Sequence, residues 1–143
     1  MAHPLICSIT TEQTATSTSD LAKQAAAKGA PSGSGFLAIE QTAGRGRRGR
    51  PWLSQKGGMY LSVLLRATVK KKYWFALSFA ASLAALDTVR HQLAKHFDNQ
   101  HMPQIGLKWP NDVIMSGGKI AGILLEADGQ TLIVGSGINI GPV

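Results

Sequence analysis

The chain has 143 residues, 44% of them hydrophobic, a formal charge of +7 and one cysteine, Cys7. That length points to one domain, and the apolar content suffices for a buried core, which excludes disorder as the default. One cysteine excludes internal disulfides and thiolate zinc sites. No apolar run approaches the ~20 residues of a membrane span, and no basic head precedes an apolar run at the N-terminus; a cytoplasmic protein is expected.

Leu5 to Ile9 is short, apolar and β-branched, a candidate opening strand. Thr16, Ser17, Thr18 and Ser19 then offer helix N-caps, with Asp20 in the first turn, where a negative charge suits the helix dipole. Leu21 to Lys28 is alanine-rich and predicts a helix stopped by Gly29 and Pro31; Phe36 to Glu40 predicts a strand. That strand leads into Gln41 to Trp52, where Gly44 to Arg50 alternates Arg45, Arg47, Arg48 and Arg50 with glycines and holds no apolar side chain. Such a segment cannot hold a helix or seed a core. It can wrap an anion, because glycines admit backbone N–H groups and guanidinium forks grip paired oxygens. The glycine spacing echoes a dinucleotide fingerprint without its helix-opening context. A nucleic-acid segment or a solvated basic loop are the competing readings.

Tyr60 to Leu65 predicts a buried strand, and Tyr73 to Phe97 a helix about 35 Å long. Within it Phe75, Phe79, Leu83, Leu86, Val89, Leu93 and Phe97 recur at helical spacing and predict one buried stripe, with His91 and His96 in solvent. Lys70, Lys71 and Lys72 form a second basic cluster ahead of it. Gly106 to Trp109, Val113 to Met115, Ile120 to Glu126 and Leu132 to Ile140 predict strands joined by turns at Ser116-Gly117-Gly118 and Asp128-Gly129. The whole predicts an α+β fold with a mixed, mostly antiparallel sheet covered on one face.

Three further segments gather chemistry-bearing residues. Lys108 to Asp112 sets a lysine, an amide and a carboxylate around a proline corner. Lys119 to Gly122 puts a lysine at the mouth of an apolar strand, where simple alternation places Lys119, Ala121, Ile123 and Leu125 on one face. Gly135 to Asn139 lacks bulk where a core strand carries it, which suits a ligand against the backbone. Each segment alone also reads as a strand-end lysine, a turn former or a bulge.

Taken together, Ser17-Thr18, Gln41 to Trp52, Lys108 to Asp112, Lys119 to Gly122 and Gly135 to Asn139 resemble, in order and spacing, the catalytic domain of biotin–protein ligases. The resemblance implies the class II aminoacyl-tRNA synthetase and biotin synthetase-like fold over residues 1–143, and ATP-driven formation of biotinyl-5'-AMP followed by transfer to a lysine of a biotin carboxyl carrier protein. It implies that Ser17, Thr18, Gln41, Gly44, Arg45, Gly46, Arg47, Trp52, Lys119, Gly122 and Gly135 hold biotin. Ser19, which stands where the family usually has asparagine, joins them. Arg47, Arg50, Asn111, Lys119 and Asn139 would face the nucleotide, and Lys119 and Arg47 would carry the chemistry. Asp112 would place Mg²⁺ or a key lysine, with no metal-ligand set fixed.

By the resemblance, the 143 residues would stop short of the segment that covers adenine in the family and of its C-terminal barrel, and would lack the DNA-binding domain of bifunctional members. A truncated ligase core is therefore expected, with self-association, such as a homodimer, through uncovered sheet around Leu132 to Ile140. No specific nucleic acid and no membrane are expected as partners. The other reading is a catalytically weak biotin- or adenylate-binding module.

Overall fold

The computed structural model describes residues 8–140. Its elements in chain order are β1 (Ser8–Ala15), α1 (Thr18–Ala27), β2 (Ser34–Gln41), β3 (Gly58–Arg66), α2 (Phe75–Leu93), β4 (Ile105–Lys108), β5 (Asp112–Met115), β6 (Gly118–Asp128) and β7 (Thr131–Asn139). Short 3-10 turns occupy Arg47–Gly49 and Lys71–Tyr73. The strands form one seven-stranded sheet in the order β1-β2-β3-β7-β6-β5-β4. Only β1 and β2 run parallel; every other neighbouring pair is antiparallel. The α+β fold with a mixed, mostly antiparallel central sheet is therefore observed.

The opening strand differs from the expectation. Leu5, Ile6 and Cys7 lie outside the described residues, and the observed strand continues through the polar run Thr10 to Thr14. As an edge strand exposed along all but Ala15, β1 carries no apolar alternation that the sequence could display. Helix α1 begins at Thr18 rather than Leu21, because the Ser17 hydroxyl caps it, accepting from Ser19 N at 3.3 Å.

The sheet is covered on both faces, not one. Ala22 and Ala26 of α1 pack with Leu64, Ile133 and Phe36, while Ala85 and Leu86 of α2 pack with Val113, Ala121, Ile123 and Ile138. Ile133 and Ile138 differ in parity along β7, so the helices sit on opposite faces. The expected stripe of α2 is borne out at Leu86, which is buried, and at Val89, which packs on the core, but not along its whole length. Trp74, Ser82, Ala85 and Leu86 are buried, whereas Phe75, Leu83 and Phe97 are exposed. Small residues on the inner face let the helix lie close to the sheet, and the bulky aromatics turn outward, where Phe79 stacks on Trp109 at 4.6 Å. His91 and His96 are exposed, as expected.

The β5–β6 hairpin turns on Ser116 and Gly117, both with positive φ (49° and 84°), the geometry that a two-residue turn demands. Along this hairpin Val113 faces Ala121 but Ile114 faces Lys119, so Ile120 is an extra residue. This bulge moves Lys119 off the expected face. Ala121 and Ile123 stay in the core under α2, while Lys119 joins Gly122 on the α1 face. Among the described residues no helix is long and apolar enough to cross a membrane.

Candidate active site

On the α1 face, a cleft of about 410 Å³ lies between the N-terminus of α1, the arginine segment, β3, β6 and β7. Its floor is a chain of buried hydroxyls. Thr18 Oγ1 lies 2.8 Å from Ser62 Oγ, which lies 3.3 Å from Ser19 Oγ. Gln41 joins this chain through its side-chain oxygen, which accepts from Thr18 N (2.8 Å) and Oγ1 (3.2 Å), and its amide donates to Ser54 Oγ at 2.7 Å. An alanine methyl at Gly135 would meet Ser19 Oγ at 3.3 Å, so the bare strand is what makes room for the hydroxyls.

The arginine segment forms the opposing wall. Its root is tied by the Arg45–Pro51 bridge and by Gly46 N donating to Arg50 O at 2.7 Å. Arg45 makes a two-pronged contact with Asp20, Nη1 to Oδ2 at 2.9 Å and Nη2 to Oδ1 at 2.7 Å. These bonds hold the Asp20 carboxyl below the usual carboxylate range and raise Arg45 further. Arg47 instead donates to a neutral partner, Asn111 Oδ1, at 2.9 Å. Asn111 is itself fixed, its amide donating to Ile123 O at 2.6 Å and its own carbonyl accepting from Ile123 N at 3.0 Å.

Trp52 and Lys119 fill the third side. The indole lies against the backbone of Gly122 and Gly137, where a methyl would come within 3.1 Å and 2.5 Å of it. Lys119 Nζ stands 4.9 Å from the indole ring centre and 2.8 Å from Asp112 Oδ1, a close ion pair without hydrogen-bond alignment. Among the described residues the buried indole Nε1 has no hydrogen-bond partner.

The structure thus brings Ser17, Thr18, Ser19, Gln41, Arg45, Gly46, Arg47, Arg50, Trp52, Asn111, Asp112, Lys119, Gly122 and Gly135 to one cleft. Gly44 and Asn139 are not among its lining. Gly44 is a packing requirement, since a Cβ there would collide with Ser54 Oγ and come within 2.5 Å of Trp52 O. Asn139 pairs with Gly58 at the end of β7, one pleat beyond the lining Gly137. Ser62 was not singled out from sequence. A lone hydroxyl in the apolar run Tyr60 to Leu65 was the available signal. Gly122, expected to hold biotin, has Trp52 and Lys119 against its backbone.

Among the described residues, five cations line the cleft (Arg45, Arg47, Arg48, Arg50 and Lys119) against one carboxylate, Asp112. Such a wall opposite a hydroxyl floor suits a ligand with a polar uncharged head and an anionic end, or two anions held together. The family profile described as "Biotin/lipoate A/B protein ligase family" matches residues 8–142. The chain belongs to the biotin/lipoate A/B protein ligase family.

Among relatives in this ligase family, the chain is 41% identical to the biotin–[acetyl-CoA-carboxylase] ligase of Mycobacterium tuberculosis over 132 residues, covering 90% of this chain and 47% of the relative. It is 40% identical to the enzyme of the same name from Paracoccus denitrificans over 109 residues, covering 73% and 43%. The solved biotin protein ligase of Leishmania major in complex with biotin superposes with a TM-score of 0.77 at 34% identity, covering 91% of this chain and 55% of that one. The Aquifex aeolicus biotin protein ligase in complex with biotin and ATP gives 0.77 at 31%, covering 93% and 52%. The chain spans about half the length of the curated relatives it matches.

Proposed function

We propose that this chain carries the biotin-activating site of a biotin–protein ligase acting in the cytoplasm. The observation that carries the reading is the convergence in one cleft of the hydroxyl floor with Arg47–Asn111 and Lys119–Asp112. It is supported by a family whose relatives are named for this reaction and solved with biotin and ATP.

In the first step a biotin carboxylate oxygen attacks the α-phosphorus of ATP. The bond to the β-phosphate oxygen breaks, and pyrophosphate leaves biotinyl-5'-AMP behind. In the second, the amine of an acceptor lysine on a biotin carboxyl carrier protein attacks the acyl carbon and AMP departs.

Two anions must approach in the first step, so fixed positive charge is the principal demand on the protein. Each charge-assisted hydrogen bond contributes about 1.5–3 kcal/mol, and a few offset much of the repulsion. Arg47, paired with a neutral amide, keeps its full charge for the anion. Lys119 exchanges Asp112 and the indole for the reacting oxygens, its charge counting most as the carboxylate attacks. Ser17, Thr18, Ser19 and Gln41 hold the polar head of biotin, and Asn111 and Arg50 lie on the nucleotide side. Mg²⁺ accompanying ATP fits the donor set, because this ion is commonly held by one or two carboxylates plus substrate phosphates, and Asp112 is the carboxylate at hand. It would screen the phosphate charge.

Biotin-dependent exchange of labelled pyrophosphate into ATP, beside calorimetry with biotin, tests the reading. Biotin binding together with exchange is expected. Binding with no exchange would favour a biotin-binding module, and neither would overturn the assignment.

A further inference from the structure

We infer that Asp20 is a positioning residue for this reaction: through Arg45 it fixes the root of the arginine segment over the cleft. The inference rests on reading the cleft as the site of an acyl-adenylate. Both terminal nitrogens of Arg45 are committed to the two oxygens of Asp20, the fork geometry that gives such pairs their directionality. Behind them Glu126 of β6 brings Oε2 to 3.9 Å from Arg45, while its other oxygen is held by Lys23 at 2.6 Å. Arg45 is therefore a neutralised strut rather than an anion receptor.

Asp20 stands in the first turn of α1, directly after the hydroxyls of the floor. One helix end thus carries hydroxyls of the floor and, through this contact, braces the wall opposite, alongside the backbone ties of Thr42 and Ala43 to Ala15 and Thr16. Beyond Arg45 the segment has one other side-chain tie among the described residues, Arg47 to Asn111. The backbone is pinched where Arg45 meets Pro51, and the tip between carries Arg48 at φ 57°. Among the described residues, Arg47, Arg48 and Arg50 have no carboxylate partner. The tip arms thus keep their charge for a ligand while the root arm is paired. Losing Asp20 should free the root and let the tip leave a bound anion, with Arg47 and Lys119 chemically intact.

The test uses the full chain with Asp20→Ala, Asp20→Asn and the charge-swapped pair Asp20→Arg with Arg45→Asp. Native-state trypsin cleavage within the arginine segment reads its freedom independently of any reaction. Single-turnover release of biotinyl-adenylate reads retention, and pyrophosphate exchange at saturating substrates reads chemistry. In both single variants, cleavage and release should each rise roughly tenfold, the scale of one lost charge-assisted contact, with exchange changed less than about threefold. The swapped pair should restore protection from trypsin. Unchanged cleavage in both single variants, or exchange falling in step with retention, would overturn the positioning role. Should the wild type bind no biotin and show no exchange, the ligase reading fails, while the cleavage arm still decides whether Asp20 holds the segment.

Discussion

Replacing Gly137 by alanine sets one methyl against the indole of Trp52, and the size of the response follows from the contact. The added carbon would lie 2.5 Å from Nε1, 2.7 Å from Cε2 and 3.0 Å from Cζ2. Ordinary heavy-atom contact is about 3.5–4.0 Å, so the ring must retreat by about 1 Å as a rigid plate. Leaving its seat on Gly122 and Gly137 also loosens the contact with Lys119, worth about 0.5–1 kcal/mol at a half-exposed site. Overpacking typically costs about 1–3 kcal/mol. Because Nε1 has no partner to lose, release of the ring toward water should keep the cost near 1–2 kcal/mol, or a fall in Tm of about 3–8 °C. Thermal unfolding measures the cost, and tryptophan emission in a Trp109→Phe background should shift to longer wavelength as the indole meets water. Gly135→Ala is the control, since its nearest contacts are 3.3 Å to Ser19 Oγ and 3.5 Å to Leu124 O and Ser62 Oγ, relieved by small shifts. Wild-type stability and unshifted emission in Gly137→Ala, or a larger stability loss in Gly135→Ala, would refute this reasoning.

Lys119→Ala should slow pyrophosphate exchange far more than it weakens biotin binding by calorimetry; equal losses would make the lysine a binding group only. Asn111→Ala leaves Arg47 without its aligning acceptor and uncouples the corner from Ile123, so adenylate should escape faster in a single-turnover trap. Acid should loosen the arginine segment. With the folded Asp20 carboxyl held below its ordinary value by Arg45, the pair's contribution is full above about pH 3.9 and vanishes as pH falls through the lower folded value. Following the Asp20 carboxyl by NMR should give a midpoint below that of an unfolded aspartate, and Arg45→Ala should bring it back up.

Strands β2 to β7 were legible because apolar runs and glycine turns are local signals, and the arginine segment because seven adjacent residues carry it. The edge strand β1 was not, since a polar strand exposed on both faces has no period to detect. In α2 the buried face takes Leu86 and Val89 from the large stripe but Ser82 and Ala85 from a small one, which permits close approach, and leaves Phe75, Leu83 and Phe97 outside. Lys119 was set on the wrong face by a bulge that leaves no mark in residue spacing. Most cleft residues could be named from their motifs, but not their partners. The pairing of Arg45 with Asp20, or of Arg47 with Asn111, joins segments far apart in sequence through the sheet order alone.

That order ties ligand binding to folding. Because β7 inserts between β3 and β6, Ser17 near the start of the sequence and Gly137 near its end line the same cleft. Without β7 the arginine segment and the hydroxyl floor would face a cleft lacking the wall that Gly135, Ser136 and Gly137 supply. A ligand that needs both ends engages the complete fold only, and at a hundredfold excess over its Kd it would add about 2.7 kcal/mol to the folded state. If that ligand is biotin, as proposed above, the folded chain should melt higher in its presence, and the shift should vanish when β7 is deleted.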